Sequence, residues 1–274
     1  MRRWRLALAS ALDRVERVGR RVGEGLGWPQ AWVREFARVS GDPRLTREEV
    51  WVRYAVRRER AQEQLTAVKT EEDALGFYAT SDYLLYRQII HRRHTAWRTV
   101  LAGMGRWGQL LEFGCGVAPV SAWLRQRRPD WTYVLVDVPS PHRDYAQARL
   151  PQAIVCREVP AVGAFEVITA LDVLEHLPDP LTVSIHLVAA LQPGGLLYWN
   201  FARGAGDVNL ATPARREETV AYLRRNLRVV WQTRETIWQA PELVVSAKDA
   251  RWTCQFCGAP AVDARRVCVE CGTQ

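Results

Sequence analysis

The chain has 274 residues, a formal charge of +8 and 48% hydrophobic residues. That length accommodates a full α/β domain with appendages, and the hydrophobic fraction is that of a globular protein. No apolar run reaches the ~18 residues needed to span a bilayer, and all but Lys69 and Lys248 of the 38 basic residues are Arg, so the charge permits an acidic partner without requiring one.

Residues 1–104 read as helical. Arg2-Arg3-Trp4-Arg5 before Leu6–Leu12 superficially resembles a secretion leader, but Asp13 and Arg14 interrupt a short apolar core, so a cytoplasmic chain is expected. Trp4, Leu8, Leu12, Val15 and Val22 fall on one helical face with arginines opposite. That face is expected to pack on its own domain, with peripheral membrane contact or a partner as the alternative. Trp28, Trp32 and Phe36 continue a second helix, Gly41-Asp42-Pro43 breaks it, and Thr46 with Glu49 forms a capping box that opens a third. A further helix is expected from about Asp82 to Gly103. The twelve Trp are scattered along the chain, which suits core positions better than a stacking platform.

Gln109–Phe113 reads as a short buried strand running into Gly114-Cys115-Gly116. The glycines allow positive φ and remove Cβ atoms where the chain turns beside a ligand. A helix follows from about Pro119 to Arg127, with its first amides toward that ligand, then a strand Thr132–Val136 that ends in Asp137. An acid at that point can accept both hydroxyls of a ribose. The dinucleotide fingerprint G-x-G-x-x-G is broken by Pro119. The loop therefore indicates a nucleoside without choosing which one.

Downstream, Phe165–Ala170 reads as a strand leading into Leu171-Asp172-Val173-Leu174-Glu175-His176-Leu177-Pro178, and Leu191-Gln192-Pro193-Gly194-Gly195 as a turn into another strand. A loop over Asn200 to Pro213, a helix near Arg215 to Arg225 and strands at Leu227–Gln232 and Glu242–Ala247 complete the pattern. Cys115 sits in the glycine loop and Cys156 in a strand. Cys254-x2-Cys257 and Cys268-x2-Cys271, each pair followed by Gly, have the spacing of two zinc knuckles that bring four thiolates to one structural Zn²⁺. Such a tail is too small to fold alone and would draw its folding free energy from the metal.

Glu112-Phe113-Gly114-Cys115-Gly116, the segment after the fourth strand and the Leu191–Gly195 turn together resemble class I S-adenosylmethionine (SAM) dependent methyltransferases over roughly residues 105 to 250. The tail resembles a zinc ribbon. The resemblance implies a Rossmann-like seven-stranded α/β sheet with helices on both faces, an N-terminal helical extension (1–104) acting as a substrate lid, a methyltransferase domain (105–250) and a zinc-ribbon tail (251–274). It implies SAM held by Glu112, Gly114, Cys115, Gly116, Asp137, Val138, Leu171 and Asp172. Glu112 would take the amino group, Asp137 the ribose hydroxyls, Val138 the adenine, and Leu171 with Asp172 the sulfonium side. A third glycine common in the family is Ala118 here, and the acid often found after strand three is replaced by Val155-Cys156-Arg157-Glu158. His176 is the best-placed candidate base, and Tyr78, Tyr83, Tyr86, His91 and His94 on the lid are candidate substrate contacts.

The Asn/Asp-Pro-Pro-aromatic motif of exocyclic-amine methylation is absent, as Ala170-Leu171-Asp172-Val173 occupies its place, and so is the Pro-Cys dipeptide of cytosine-C5 enzymes. The leading expectation is methyl transfer to O, N or C of a small-molecule acceptor, including a sugar or lipid-linked intermediate. The alternatives are an RNA methyltransferase that holds nucleic acid through its zinc ribbon and Arg-rich helices, and a SAM-binding scaffold that docks a protein through its zinc tail.

Overall fold

The computed structural model describes residues 4–13, 15, 31–68, 70–91, 96–106, 108–160, 163–201, 209–233 and 243–248. Residues 4–13 form α1. The helices that follow are α2 (Ala31–Val39), α3 (Arg47–Ala67), α4 (Glu71–Thr80), α5 (Asp82–His91) and α6 (Trp97–Gly103). The segment expected as one helix from Asp82 to Gly103 is thus two helices. Beyond them come β1 (Gln109–Phe113), α7 (Pro119–Arg125), β2 (Thr132–Val136), α8 (Pro141–Arg149), β3 (Ile154–Cys156), β4 (Phe165–Ala170), α9 (Pro180–Ala190), β5 (Leu191–Trp199), α10 (Pro213–Asn226), β6 (Arg228–Gln232) and β7 (Val244–Ala247).

The seven strands form one mixed sheet in the order β3-β2-β1-β4-β5-β7-β6. β1 with β4, β4 with β5, and β2 with β3 are parallel, while β7 runs antiparallel to both β5 and β6. The near-continuous apolar runs of β2 and β4 (Tyr133-Val134-Leu135-Val136 and Val167-Ile168) are what parallel strands covered on both faces require. The chain packs as two compact units.

One unit comprises Met1–Ala102, Gly114–Pro129 and Tyr133–Arg157. Its core is aromatic. Trp32, Phe36, Val50, Tyr54, Tyr86 and Ile89 from the helices cluster with Val117 and Tyr145. Phe36 meets Tyr86 edge-on at 5.3 Å, and Tyr54 stacks on Tyr83 at 5.7 Å. Tyr83 and Tyr86, candidate substrate contacts by sequence, both pack in this cluster, Tyr86 buried and Tyr83 half-buried. Trp97 stacks on Trp123 with ring centroids 5.4 Å apart, and the Arg127 guanidinium lies 4.1 Å from the Trp97 centroid, joining α6 to α7. The Thr46–Glu49 capping box is present, and a second, Thr70–Asp73, opens α4.

The first helix turns the opposite face inward from the one its apolar stripe suggests. Leu6, Ala9, Ser10 and Asp13 are buried, and Trp4, Leu8, Leu12 and Val15 are exposed. The reason is Asp13. Its carboxylate accepts the Thr99 amide at 3.0 Å, the Thr99 hydroxyl at 2.7 Å and the Arg98 amide at 3.3 Å, which satisfies the orphan donors at the start of α6.

The other unit comprises Gly103–Phe113, Asp130–Thr132 and Glu158–Gln274. Leu110, Leu111, Ile168, Leu187, Leu191 and Tyr198 are fully buried. Lys248 folds its ammonium onto the end of α9, donating to the carbonyls of Val188 at 2.9 Å and Leu191 at 2.6 Å. A cation there satisfies carbonyls that the helix leaves unpaired, and burial lowers the Lys248 pKa.

Burial raises the Asp13 pKa from 3.8 to about 6, against the opposing pull of the Thr99 and Arg98 hydrogen bonds. Because the folded value lies above the unfolded one, this group's contribution to stability is full below pH 3.8 and is lost as the pH rises through 6. A shift of that size corresponds to about 3 kcal/mol. In parallel denaturant titrations, the unfolding free energy of the native chain minus that of Asp13→Asn should fall by about this amount between pH 4 and pH 7. A difference that stays constant would show that Asp13 titrates normally.

Candidate functional site

The glycine loop lies in the first unit, and its shape follows from three left-handed residues at alternate positions. Gly114 has φ 61°, Gly116 φ 51° and Ala118 φ 50°. A left-handed alanine costs about 1–2 kcal/mol. Here the Ala118 methyl is fully buried against Cys115, Ala122, Leu135, Ala146 and Leu150, an apolar contact that offsets the strain and that glycine would forgo. The Cys115 side chain is buried in the same cluster.

The loop amides are spoken for by the chain itself. Gly114 and Cys115 both donate to the Val136 carbonyl at the end of β2, at 2.8 and 3.1 Å, and Ala118 donates to Cys115 at 2.7 Å. Gly116 donates to Asp137 Oδ2 at 2.7 Å, and Val138 to Asp137 Oδ1 at 2.8 Å. Asp137 is thus fixed by one backbone amide on each oxygen. A carboxylate offers about four acceptor positions, so each oxygen keeps capacity for one more donor, as a vicinal diol would provide. The buried His142 Nε2 stands 3.7 Å from Asp137 Oδ1.

Two other side chains complete this half, and neither was expected from the sequence. Gln88 on α5 accepts the Val117 amide through Oε1 at 2.9 Å. A Cβ at Gly116 would overlap its carboxamide, lying 2.7 Å from Cδ. Arg149 at the end of α8 grips both oxygens of Glu35 (2.9 and 2.7 Å) and donates its remaining Nη1 to the Val117 and Ala118 carbonyls (2.9 and 3.5 Å). Gln88 carries a weak signal, as a polar residue between apolar turns of α5. Arg149 carries none among so many arginines.

In the second unit, Glu112 is buried at the end of β1, where its Cα faces Thr169 of β4. Leu171 is buried directly after β4. Asp172 adopts φ 50° and pairs reciprocally with Asn200. Its amide donates to Asn200 Oδ1 at 2.6 Å, and Asn200 Nδ2 donates to Asp172 Oδ1 at 2.6 Å. The strain at Asp172 is thus held by a residue just beyond the end of β5, a partner that the sequence signals only as a polar side chain ending an apolar strand. His176 is half-buried on a single 3₁₀ turn, Leu174–His176. Tyr78 lies on α4, edge-on to Phe77. The His91 side chain, His94 and the four tail cysteines Cys254, Cys257, Cys268 and Cys271 lie outside the described residues. Among the described residues no group of three or more His, Cys, Asp or Glu is placed to hold a metal ion, and no helix is long and apolar enough to cross a membrane.

This sheet order, with a glycine loop after β1 and an acid after β2, defines a Rossmann-like α/β protein. The chain belongs to the methyltransferase-domain family, whose model matches residues 84–228, more than half of its length. The ubiquinone biosynthesis O-methyltransferase of Coxiella burnetii is 29% identical over 98 residues, covering 33% of this chain and 42% of that protein. Its counterpart in Actinobacillus pleuropneumoniae is 28% identical over 104 residues, covering 34% and 44%. The chain therefore spans less than half the length of these curated relatives. Among solved structures, the N-methyltransferase NodS of Bradyrhizobium japonicum with S-adenosylhomocysteine is similar at 20% identity and a TM-score of 0.46, covering 60% of this chain and 87% of that one. The 1,6-didemethyltoxoflavin-N1-methyltransferase of Burkholderia thailandensis is similar at 18% identity and a TM-score of 0.46, covering 57% and 78%.

Gly116→Ala should cost about 1–2 kcal/mol for its left-handed backbone and about 1 kcal/mol more for displacing Gln88 from the Val117 amide. Gln88→Ala already gives up that hydrogen bond. The double variant should therefore be more stable than the summed single effects by about 1 kcal/mol in chemical denaturation. Strict additivity would show that Gln88 yields to the added methyl at no cost.

Proposed function

We propose that the chain is a SAM-dependent methyltransferase acting on an O, N or C nucleophile of a small-molecule acceptor. Three domains follow from that reading: the helical region 1–104, a methyltransferase domain 105–250 and a zinc-ribbon tail 251–274. The observation that carries it is the Asp137 carboxylate, locked by the Gly116 and Val138 amides with an acceptor position left on each oxygen. That arrangement suits the two hydroxyls of a ribose, and it stands in a chain of the methyltransferase-domain family. The relatives named for ubiquinone biosynthesis support an oxygen nucleophile on a small, lipid-linked acceptor.

In this reading SAM supplies a methyl group on a positively charged sulfur. The chain's own residues bind and orient. Asp137 takes the ribose hydroxyls, and Val138 lies against the adenine. Gly114, Cys115 and Gly116 contribute backbone rather than side-chain chemistry. Glu112 receives the amino group, and Leu171 and Asp172 line the reactive end, with Asn200 holding Asp172 in its left-handed conformation. His176 removes the proton when the acceptor enters protonated. Alignment of the two reactants carries the larger share of the rate, up to about 7–11 kcal/mol in intramolecular reactions. Cys254, Cys257, Cys268 and Cys271 hold one structural Zn²⁺ in a closed four-thiolate site with no position for substrate.

Calorimetric titration with SAM and S-adenosylhomocysteine tests the reading. The native chain should bind both, and Asp137→Ala should weaken binding by about 10–100-fold, as expected for losing hydrogen bonds to a charged acceptor. Absence of binding by the intact chain would overturn the assignment. Metal analysis should find one zinc per chain, lost together with Cys254→Ser/Cys257→Ser. A zinc-free protein that still binds SAM would remove the ribbon from the proposal and leave the cofactor site standing.

A further inference from the structure

Every amide from Gly114 to Ala118 is spent inside the chain. Gly114 and Cys115 donate to Val136, Gly116 to Asp137, Val117 to Gln88 and Ala118 to Cys115. A glycine loop that holds a phosphate turns such amides toward it. This loop keeps none of its own for an anion. Arg149, a cation at the loop, is committed as well, since its N–H groups go to Glu35 and to the Val117 and Ala118 carbonyls.

Gln88 supplies the donor that the loop lacks. Its Oε1 accepts the Val117 amide at 2.9 Å. The amide nitrogen could not stand there, because its hydrogens would meet the Val117 N–H. Nε2 is therefore the free end of the carboxamide, with two N–H donors, and no acceptor among the described residues meets it. It lies against the bare side of Gly116, where a Cβ would come within 2.8 Å of it. Gln88 is half-buried, and Tyr86, Ile89 and Ile90 beside it are anchored in the aromatic core. The carboxamide is thus presented by a fixed helix and pinned at one end.

SAM brings a charged group that still has no partner. Its ammonium is given to Glu112 and its sulfonium side to Leu171 and Asp172, whereas its carboxylate is given to no residue. A carboxylate drawn out of water needs N–H donors, and its hydrogen bonds to them are stronger than neutral ones.

We propose, resting on the SAM-dependent reading of the site, that Gln88 binds the carboxylate of the cofactor's amino-acid arm. Oε1 holds the loop through Val117, and Nε2 donates to the carboxylate beside Gly116. Gln88 then selects for cofactors that carry this group. Gly116 is required because a side chain there would displace the donor.

Calorimetric titration with SAM, S-adenosylhomocysteine and decarboxylated SAM tests this. The last keeps the ribose and the sulfonium and lacks the carboxylate. The diagnostic variant is Gln88→Glu, which keeps an oxygen for the Val117 amide and puts a charged oxygen in place of Nε2. It should weaken SAM and S-adenosylhomocysteine about 10–100-fold and leave decarboxylated SAM no weaker than in the native chain. The native chain should itself prefer SAM to decarboxylated SAM by about tenfold or more. Asp137→Ala should weaken every one of these ligands, because each carries the ribose. Circular dichroism and the unfolding midpoint of Gln88→Glu should match the native chain. A variant that fails this check is replaced by Gln88→Met, for which the loss for SAM should exceed that for decarboxylated SAM by about tenfold. Equal weakening of all the ligands would overturn the assignment and leave Gln88 as a support of the loop. SAM binding that Asp137→Ala weakens and Gln88→Glu spares would overturn this assignment alone. A native chain that binds no SAM would overturn the cofactor reading along with it.

Discussion

The Arg149 guanidinium is the contact on which the glycine loop depends. It spans Glu35 on one side and the Val117 and Ala118 carbonyls on the other. The Ala118 carbonyl also takes the Ala122 amide that opens α7, at 3.1 Å, while the Val117 carbonyl accepts the Arg149 Nη1 at 2.9 Å. A planar guanidinium meets a carboxylate with two parallel hydrogen bonds and still has N–H groups to spare. Lysine could not hold both partners in this geometry. The loop conformation therefore rests on α2 and α8 as much as on its own glycines.

The helices that precede the loop consequently do more than cover it. Gln88 from α5 occupies the space a Gly116 side chain would need, and Glu35 from α2 reaches Arg149. The aromatic core of Trp32, Phe36, Tyr54 and Tyr86 includes Val117 of the loop and Tyr145 of α8. Aromatics that look free for substrate in a linear sequence are the residues that hold these helices against the loop.

What the sequence made legible follows the range of the forces involved. β1, β2, β4 and the start of α7 were readable because apolar runs, glycines and Pro119 act locally, and the Thr46–Glu49 box closes within three residues. Asp137 was readable because its place is set by the end of one strand. Gln88, His142, Arg149 and Asn200 were not, because each matters through a partner 5 to 114 residues away. The first helix shows the same limit. Its 3.6-residue stripe was read correctly, but which face turns inward was decided by Asp13 and Thr99, separated by 86 residues. Apolar periodicity locates a face, and a buried polar contact can override its direction.

The strand order at the far end of the sheet also constrains when the chain can fold. Among the described residues β6 is hydrogen-bonded to β7 alone, and β7 lies between β5 and β6 although it is the last of the seven strands in sequence. As the chain emerges from the ribosome, β6 lacks its β7 partner until residues 244–247 appear, and the Val188 and Leu191 carbonyls lack the Lys248 ammonium until it follows. Long-range pairings of this kind form late and leave a strand edge open meanwhile. The five residues from Val244 to Lys248 thus act as a latch, and a nascent chain stalled before them would present β5 and β6 as two unpaired edges.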